Sequence, residues 1–411
     1  GGAATDPTMM RGKLSCRRTK PARLSGTGPR SGGVSRSRSG AARGHPVLLA
    51  AGFLVGLGPV WALAEEWSRS LPAGRTLTLY GQTSPTTLTV DDGVESHFSI
   101  RDNAHATTRL GFDVTRRLGE RTIRWSFESG FGIPTTSGTS QTSANDRWAF
   151  GDATVRKAEL RLTGPLGEWS FGQGSTATDG VATQDLSGTD VVGSSAIRDD
   201  AGSFRLRSAA TGGLTSIRLG DAFANFDGKR RLRVRYDTPR RRGYSIAVAA
   251  GLDDFLDGAE TFADAAIRFE TAAAALRLRA AAGVSWQREE AGEDELAWLG
   301  SMSAFHRDSG VSLTAAAGLQ IGGGRYAYLK GGYRIAPFGF GDTAATADMF
   351  FGRDNASQGA RSRSTGMQLV QFWDSRNIEA YLGYRRYAYD DRTPETYHDA
   401  HSFLAGLRWR F

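Results

Sequence analysis

The chain carries a single cysteine, and past residue 64 it has no run of eighteen apolar residues. The one thiol, Cys16, sits near the start, so the rest of the chain can form neither a disulfide nor a thiolate metal site. Lack of a long apolar run excludes membrane-spanning helices after Ala64. Catalytic signatures are missing too: there is no G-x-S-x-G elbow, no Gly-rich phosphate loop and no H-E-x-x-H. His398 and His401 stand at H-x-x-H spacing, but on a strand or loop that spacing sends them to opposite faces with no further ligand in view. No catalytic residue, metal or cofactor is expected, and a carboxylate-rich loop is the one place where calcium would fit.

Charge is plentiful, yet its total misleads. The 411 residues have a formal net charge of +8, which alone invites a nucleic-acid reading. Ten Lys and Arg precede Glu65 against one acid, leaving 41 basic and 42 acidic residues afterwards, so the excess belongs to the leader and no nucleic-acid partner is expected. That leader runs from an Arg/Ser/Gly-rich tract through the apolar stretch Val47 to Trp61 into Ala62-Leu63-Ala64. Charged, apolar and small-residue regions in that order describe a secretory signal peptide, with cleavage expected after Ala64. A retained anchor is the alternative, although Gly and Pro59 interrupt the run and it is short for a bilayer span. Residues 1–64 are thus read as a leader and 65–411 as one domain.

From Arg75 onward the chain is a series of short alternating segments between Gly/Asp/Pro/Ser turns. In Glu120 to Gly132, Ile123, Trp125, Phe127 and Phe131 oppose Arg124, Ser126 and Glu128; in Thr154 to Thr163, Ala158, Leu160 and Leu162 oppose Lys157, Glu159 and Arg161. A soluble sheet also alternates, but here the polar face carries Arg and Glu together, as a water-filled lumen would. Among membrane structures without helical spans, a closed barrel is what remains. Counting segments through Phe262 to Glu270, Ala274 to Gln287, Glu295 to Phe305 and onward gives sixteen strands. The expected fold is therefore all-β, a transmembrane antiparallel barrel.

The final stretch, His401 to Phe411, places Phe403, Ala405, Leu407, Trp409 and Phe411 on one face and Leu404, Gly406, Arg408 and Arg410 on the other. It resembles the insertion signal of Gram-negative outer-membrane barrels, which implies recognition of Phe403, Leu407, Trp409 and Phe411 by the barrel-assembly machinery. It also implies closure of the last strand on the first, around Leu77 and Leu79. The hairpin RKAELRLTGPLGEWSFGQG (Arg156 to Gly174), the hairpin RLRVRYDTPRRRGYSIAVAAG (Arg231 to Gly251) and TRLGFDV (Thr108 to Val114) resemble, in the right order, segments of the general bacterial porins. The resemblance implies a passive channel for small hydrophilic solutes and ions, set in outer-membrane lipid and assembled as a homotrimer. A substrate-selective channel with a saturable site for sugars or anions is the alternative. One departure is Gln173, which stands where many porins carry a pore-facing Arg.

Between those hairpins lies the longest irregular segment, Ser175 to Gly228, within which Phe204 to Leu219 shows some alternation, as an extra strand or a hairpin would. The resemblance implies a constriction loop folded into the lumen, with Asp179, Asp185 and Asp190 facing a basic wall. An external solvated loop is the other reading. Arg231, Arg233 and Arg235 alternate with apolar residues, as do Arg277 and Arg279, and an Arg facing hydrocarbon costs roughly 2 to 4 kcal/mol at the midplane, so these side chains point inward. With Arg124, Lys157 and Arg161 they form the expected basic wall. The aromatics Trp125, Trp169, Tyr236, Tyr244, Trp286, Trp298, Trp373, Trp409 and Phe411 are expected to ring the barrel at its two interfaces.

Overall fold

β-branched and aromatic residues at every second position favour a pleated strand whose two faces meet different surroundings. A computed structural model describes residues 67–143, 154–252, 261–288 and 294–411, all within the unit from Pro59 to Phe411. The leader, with Cys16 and the expected cleavage after Ala64, lies outside the described residues. In chain order the strands are β1 (Trp67–Leu71), β2 (Arg75–Thr83), β3 (Pro85–Asp91), β4 (Ser96–Asp102), β5 (Arg109–Leu118), β6 (Arg121–Gly130), β7 (Val155–Gly164) and β8 (Gly167–Ser175). A long connection then holds α1 (Arg198–Ala201), β9 (Arg205–Arg207), β10 (Leu214–Arg218) and α2 (Leu219–Ala222). There follow β11 (Arg230–Asp237), β12 (Tyr244–Leu252), β13 (Thr261–Ala273), β14 (Leu276–Arg288), β15 (Glu295–His306) and β16 (Val311–Gln320). The last five are β17 (Arg325–Phe338), β18 (Gly341–Arg353), β19 (Arg361–Trp373), β20 (Ile378–Asp390) and β21 (Ala400–Arg410).

Each of these strands except the β9–β10 hairpin pairs antiparallel with its neighbours in one continuous ladder, which β21 closes on β2 and β3. β2 and β3 form one bent strand, β4 and β5 another, and β1 completes the position that β21 leaves short, so the closed wall has sixteen positions. Two-residue turns such as Gly119-Glu120 and Pro165-Leu166 cluster at one end, and the longer connections leave from the other. We call these the turn end and the loop end.

Closure falls higher along the wall than the sequence pattern suggests. β21 pairs with Gln82 through Asp91, whereas Leu77 and Leu79 pair with Arg69 and Trp67 of β1. The reason is local: Ala73 and Gly74 both take positive φ, turning β1 back on β2, and so short a hairpin claims the edge at little loop-closure cost. At the junction, the Phe411 N–H donates to the Gly81 carbonyl at 3.1 Å and the Gly81 N–H donates back to Phe411 at 2.9 Å. The Phe411 ring covers Gly81 so closely that a Cβ there would lie 2.7 Å from it.

The two faces of the wall decide between barrel and soluble sheet. Leu110, Leu160, Val234, Val248, Ile267, Met302, Leu329, Met349, Leu382 and Phe403 point outward and stay exposed, while Arg101, Glu128, Glu159, Arg233, Asp264, Lys330, Asp348 and Arg385 are buried inside. An apolar surface of that extent is far beyond the few hundred Å² of an ordinary soluble monomer. Aromatics mark both rims: Trp125, Trp169, Tyr236, Tyr244, Trp373, Trp409 and Phe411 lie toward the turn end, with Trp286 and Trp298 toward the loop end. Contacts such as Trp169 on Tyr236 (4.9 Å) and Phe340 on Trp373 (5.5 Å) bind adjacent strands within the turn-end ring.

The apolar core lies inside the barrel, between the long connection and one side of the wall. Phe223 packs on Phe350 (5.7 Å) and Tyr387 (5.3 Å), with Val181, Val191, Ile197, Phe204, Leu206, Leu219 and Leu404 buried around them. Deleting Phe411 removes both reciprocal bonds to Gly81 and the ring over it. We expect a several-fold lower yield of assembled barrel, scored as the fraction that migrates differently before and after heating, and Gly81→Val should lower it in the same way. Unchanged yield in both would show that this junction does not hold the wall closed.

Candidate functional site

The segment 176–229 enters the lumen directly from β8 and is tied to the wall by polar groups that alternation has already pointed inward. Asp264 on β13 accepts from the Ala177 N–H (3.1 Å), the Thr178 N–H (2.7 Å) and the Thr178 hydroxyl (2.6 Å). Arg268 donates to the carbonyls of Ala177 and Asp179. On β15, Ser303 accepts from the Leu186 N–H at 2.9 Å and Ser301 from the Gln184 N–H at 3.0 Å. Lys330 of β17 donates to the Asp185 carboxylate and to the Gly193 carbonyl, each at 2.7 Å. Further round, Thr346 bonds Thr189 (2.9 Å), and the Asn103 amide donates to the Val191 carbonyl (2.7 Å).

The deepest tie is ionic. Arg385 of β20, 1% exposed, reaches Asp348 of β18 with both terminal nitrogens (2.7 and 2.9 Å) and Asp200 of the loop with Nε (2.9 Å). β19 contributes Gly366 between Asp348 and Arg385, and a Cβ there would come within 2.8 Å of the guanidinium. His105 completes the set, with Nε2 2.6 Å from Asp200. Burial works against charge on Asp200, but Arg385 and His105 together hold its carboxyl below the ordinary carboxylate range. Asp185 behaves likewise: burial raises it, and Lys330 more than offsets that.

On the opposite side, β5 to β8, β11, β20 and β21 also point charges inward, and here the cations Arg109, Lys157, Arg161 and Arg410 remain in contact with water while the carboxylates they surround are buried. Glu128 is gripped by Arg156 (2.7 Å) and Lys157 (3.3 Å), with Arg109 at 3.7 Å; Glu159 is shared by Arg161 and Arg233; Glu379 is shared by Arg408 (2.6 Å) and Arg410 (2.5 Å). Arg235 pairs with Asp237 and donates to the carbonyls of Ser175 and Thr176, where the loop departs. Cations outnumber carboxylates on this wall. Side chains of Arg109, Lys157, Arg161 and Arg410 keep 27%, 27%, 30% and 50% of their exposure, against 0% for Lys330 on the loop side.

All eight basic residues singled out by sequence lie on the inner face, but they do not act as one group. Arg124, Lys157, Arg161 and Arg235 share the hydrated wall, and Arg233 is buried against Glu159; Arg231 bonds Gln287 and lies over the Phe262 ring at 4.9 Å. Arg277 and Arg279 sit close to the turn end instead, with Arg279 paired to Glu270 at 3.1 Å. The three loop carboxylates separate as well. Asp185 faces Lys330, and Asp179 lies close to Asp227 with its own carbonyl held by Arg268, so neither is turned toward the hydrated wall. Asp190 is the exposed one, near enough to Glu379 for their charges to interact. Buried lysine and arginine on the loop side capture carboxylates first because an uncompensated buried charge is far costlier than a hydrated one. Gln173 shares the outward face of Phe171 and Trp169, so it says nothing about charge in the lumen. Among the described residues no three His, Cys, Asp or Glu gather to hold a metal ion, and His401 bonds the Tyr384 hydroxyl at 2.9 Å on the outer face.

Arg408 and Arg410 could have been found by the rule that located Arg231 to Arg235, since they oppose the apolar stripe of the last strand. Arg385 could not, because Arg386 beside it differs only in strand parity. No family model matches the sequence and no curated protein matches it. Solved structures do. The anion-selective porin from Comamonas acidovorans is similar over 82% of this chain and 100% of its own, with a TM-score of 0.55 at 14% identity. OmpT of Vibrio cholerae in a trimer form covers 82% and 100% (TM-score 0.52, 12% identity), and the outer-membrane channel DcaP of Acinetobacter baumannii covers 84% and 99% (TM-score 0.51, 15% identity). The fold is that of the Gram-negative outer-membrane porins.

Two outcomes test the loop's attachment. Arg385→Ala leaves Asp348 buried without its counter-charge and Asp200 with His105 alone, and should cost about 3–5 kcal/mol, read from denaturant unfolding, with protease cleavage appearing inside 176–229. A loop as protected as in the parent would refute the anchoring role. Asp227, meanwhile, accepts from the Gly180 and Ala182 N–H groups, yet burial, reinforced by Asp179, pushes its carboxyl up to about 7. The native state therefore holds the proton more tightly than the unfolded chain. Stability from this group is complete below about pH 4 and is lost as pH rises through about 7. In Asp227→Asn that decline should be absent from stability measured across the interval.

Proposed function

We propose that this barrel, with its porin fold, is an outer-membrane diffusion channel for small hydrophilic solutes and ions, and that it favours anions. The observation that carries the reading is the contrast inside the lumen. Charged side chains on the loop side are sealed from water, whereas Arg109, Lys157, Arg161 and Arg410 point into the same interior and remain hydrated. Inward yet wet means an aqueous path along that wall. Cations in excess beside Glu128, Glu159, Glu379 and Asp190 set a transverse field across it, which orients hydrated polar solutes and raises the local concentration of anions. The similar Comamonas porin is likewise anion-selective.

A motif-free wall of arginines and carboxylates suits sieving by size and charge rather than catalysis, so the reading is a channel and not an enzyme. Assembly as a homotrimer is part of it, with outer-membrane lipid around the apolar face and the barrel-assembly machinery as the partner that reads β21. The trimer form of OmpT supports that oligomeric state, and gel migration of unheated protein against a cross-linked ladder measures it.

Planar-bilayer recording tests the channel. Ohmic steps are expected, with a reversal potential in a salt gradient displaced toward the anion potential. Arg124→Glu with Lys157→Glu should move that potential toward cations by tens of millivolts while conductance changes less than about twofold. Saturable block by one sugar or anion would replace this reading with a substrate-selective channel, and absence of conductance would end both.

A further inference from the structure

The outer face holds a feature that conduction does not use. At the loop end, Arg325 of β17 stands directly opposite Arg353 of β18, and Arg353 directly opposite Arg361 of β19, so three arginines lie abreast on adjacent strands. Arg363 is one outward position deeper, opposite Phe351. All four are exposed. Like charges directly opposite in a sheet repel, and local acids do little to relieve this row. Asp354 reaches Arg325 only at 4.0 Å, and among the described residues no carboxylate lies within ion-pair distance of Arg353, Arg361 or Arg363. Asp390 stands opposite Arg361 without closing an ion pair.

A second observation meets the first. Arg325 and Arg353 form the polar end of a groove of about 900 Å³ on the barrel's outer surface. Its floor is made of small side chains, Ala265, Ala282, Ala317 and Ala327, and Trp298 and Phe351 stand along its sides. The alanines are what create it: large apolar residues elsewhere on the wall fill the space that a lipid chain would otherwise occupy.

We propose that this is a binding site for a phosphorylated lipid, whose phosphate bridges Arg325, Arg353 and Arg361 while its acyl chains lie along the alanine floor. It rests on the reading that the barrel spans a membrane. Arginine forks match phosphate oxygens two at a time and lose little on partial dehydration, which suits an interface between headgroups and hydrocarbon. The anion relieves the cross-strand repulsion, and the groove gives its chains a seat that a free phosphate lacks. Attraction between juxtamembrane arginines and anionic lipid adds with each charge.

The test is native mass spectrometry of the folded full barrel in non-ionic detergent, titrated with dioleoylphosphatidylglycerol, with dioleoylphosphatidylcholine, or with inorganic phosphate plus either lipid. Phosphatidylglycerol should be retained about tenfold more than phosphatidylcholine, and Arg353→Gln with Arg361→Gln should abolish that difference. Ala282→Phe, which fills the floor and leaves the arginines alone, should weaken both lipids. Equal retention of the two lipids, full retention by the arginine variant, or complete displacement by equimolar phosphate would overturn the proposal. So would loss of multimers in place of lipid adducts in the arginine variant, because the face would then be an interface between copies. Bilayer conductance of the same samples keeps the two readings apart: channels that conduct normally while lipid preference is missing condemn only the lipid site, and a silent barrel condemns the channel.

Discussion

A guanidinium buried in a barrel wall cannot stand without counter-charge, and Arg385 has two. One, Asp348, belongs to the wall itself and is reached across the bare backbone of Gly366; the other, Asp200, belongs to the loop. Much else depends on this arrangement. Because Asp200 must sit beside Arg385, α1 lies against the inner face of β20, and the segment before it falls along β13 to β18, where Asp264, Ser301, Ser303, Lys330 and Thr346 receive it, while Ser362 of β19 donates to the Ala222 carbonyl after it. Gly383 offers a flat place where Val192 passes, so near that a Cβ would meet it at 2.7 Å. The loop's apolar side chains then pack into the interior with Phe350, Tyr387 and Leu404, and the barrel acquires a core on one side only.

That one-sidedness explains the electrostatics of the lumen. The pairs that Lys330 and Arg385 make with the loop are dry, each cation closely met by carboxylate, as low dielectric demands. Those on the other side are shared and unequal, two or three cations to one buried carboxylate, and it is the hydration of cations such as Lys157 and Arg410 that tempers their mutual repulsion. Field and free space thus arise from a single cause, the loop's preference for the wall that carries its counter-charges.

Much of this was legible in the sequence. Alternation gave the barrel, the inward faces of Arg231, Arg233, Arg235, Arg277 and Arg279, and the outward face of the last strand, because strand parity is a local property that a run of residues carries by itself. The loop was legible as a long interruption, and the alternation of Phe204 to Leu219, open between an extra strand and a hairpin, is seen as the β9–β10 hairpin. What a side chain finds opposite it is not local. Asp185 and Asp190 look alike in sequence; one meets Lys330, far along the chain, and the other meets water. Leu77 and Leu79 looked available for the terminal strand until the turn at Ala73-Gly74 brought β1 alongside. Height along the barrel was hidden too, which is why Arg277 and Arg279 were grouped with residues that lie well above them.

The bonds of residues 177–193 and of Asp200 run mostly to β13, β15, β17, β18, β20 and the Asn103–His105 turn, whereas the hydrated cations Arg109, Arg124, Lys157, Arg161 and Arg410 stand on β5, β6, β7 and β21, so the two sets of residues share few contacts. On the proposed function, substitutions among Arg109, Arg124, Lys157 or Arg410 would change the field along the aqueous path and leave the seat of the loop in place, whereas exchanges along that seat would strike the fold first. A lineage carrying this barrel could therefore retune its traffic one side chain at a time, on a wall whose shape is maintained from across the lumen.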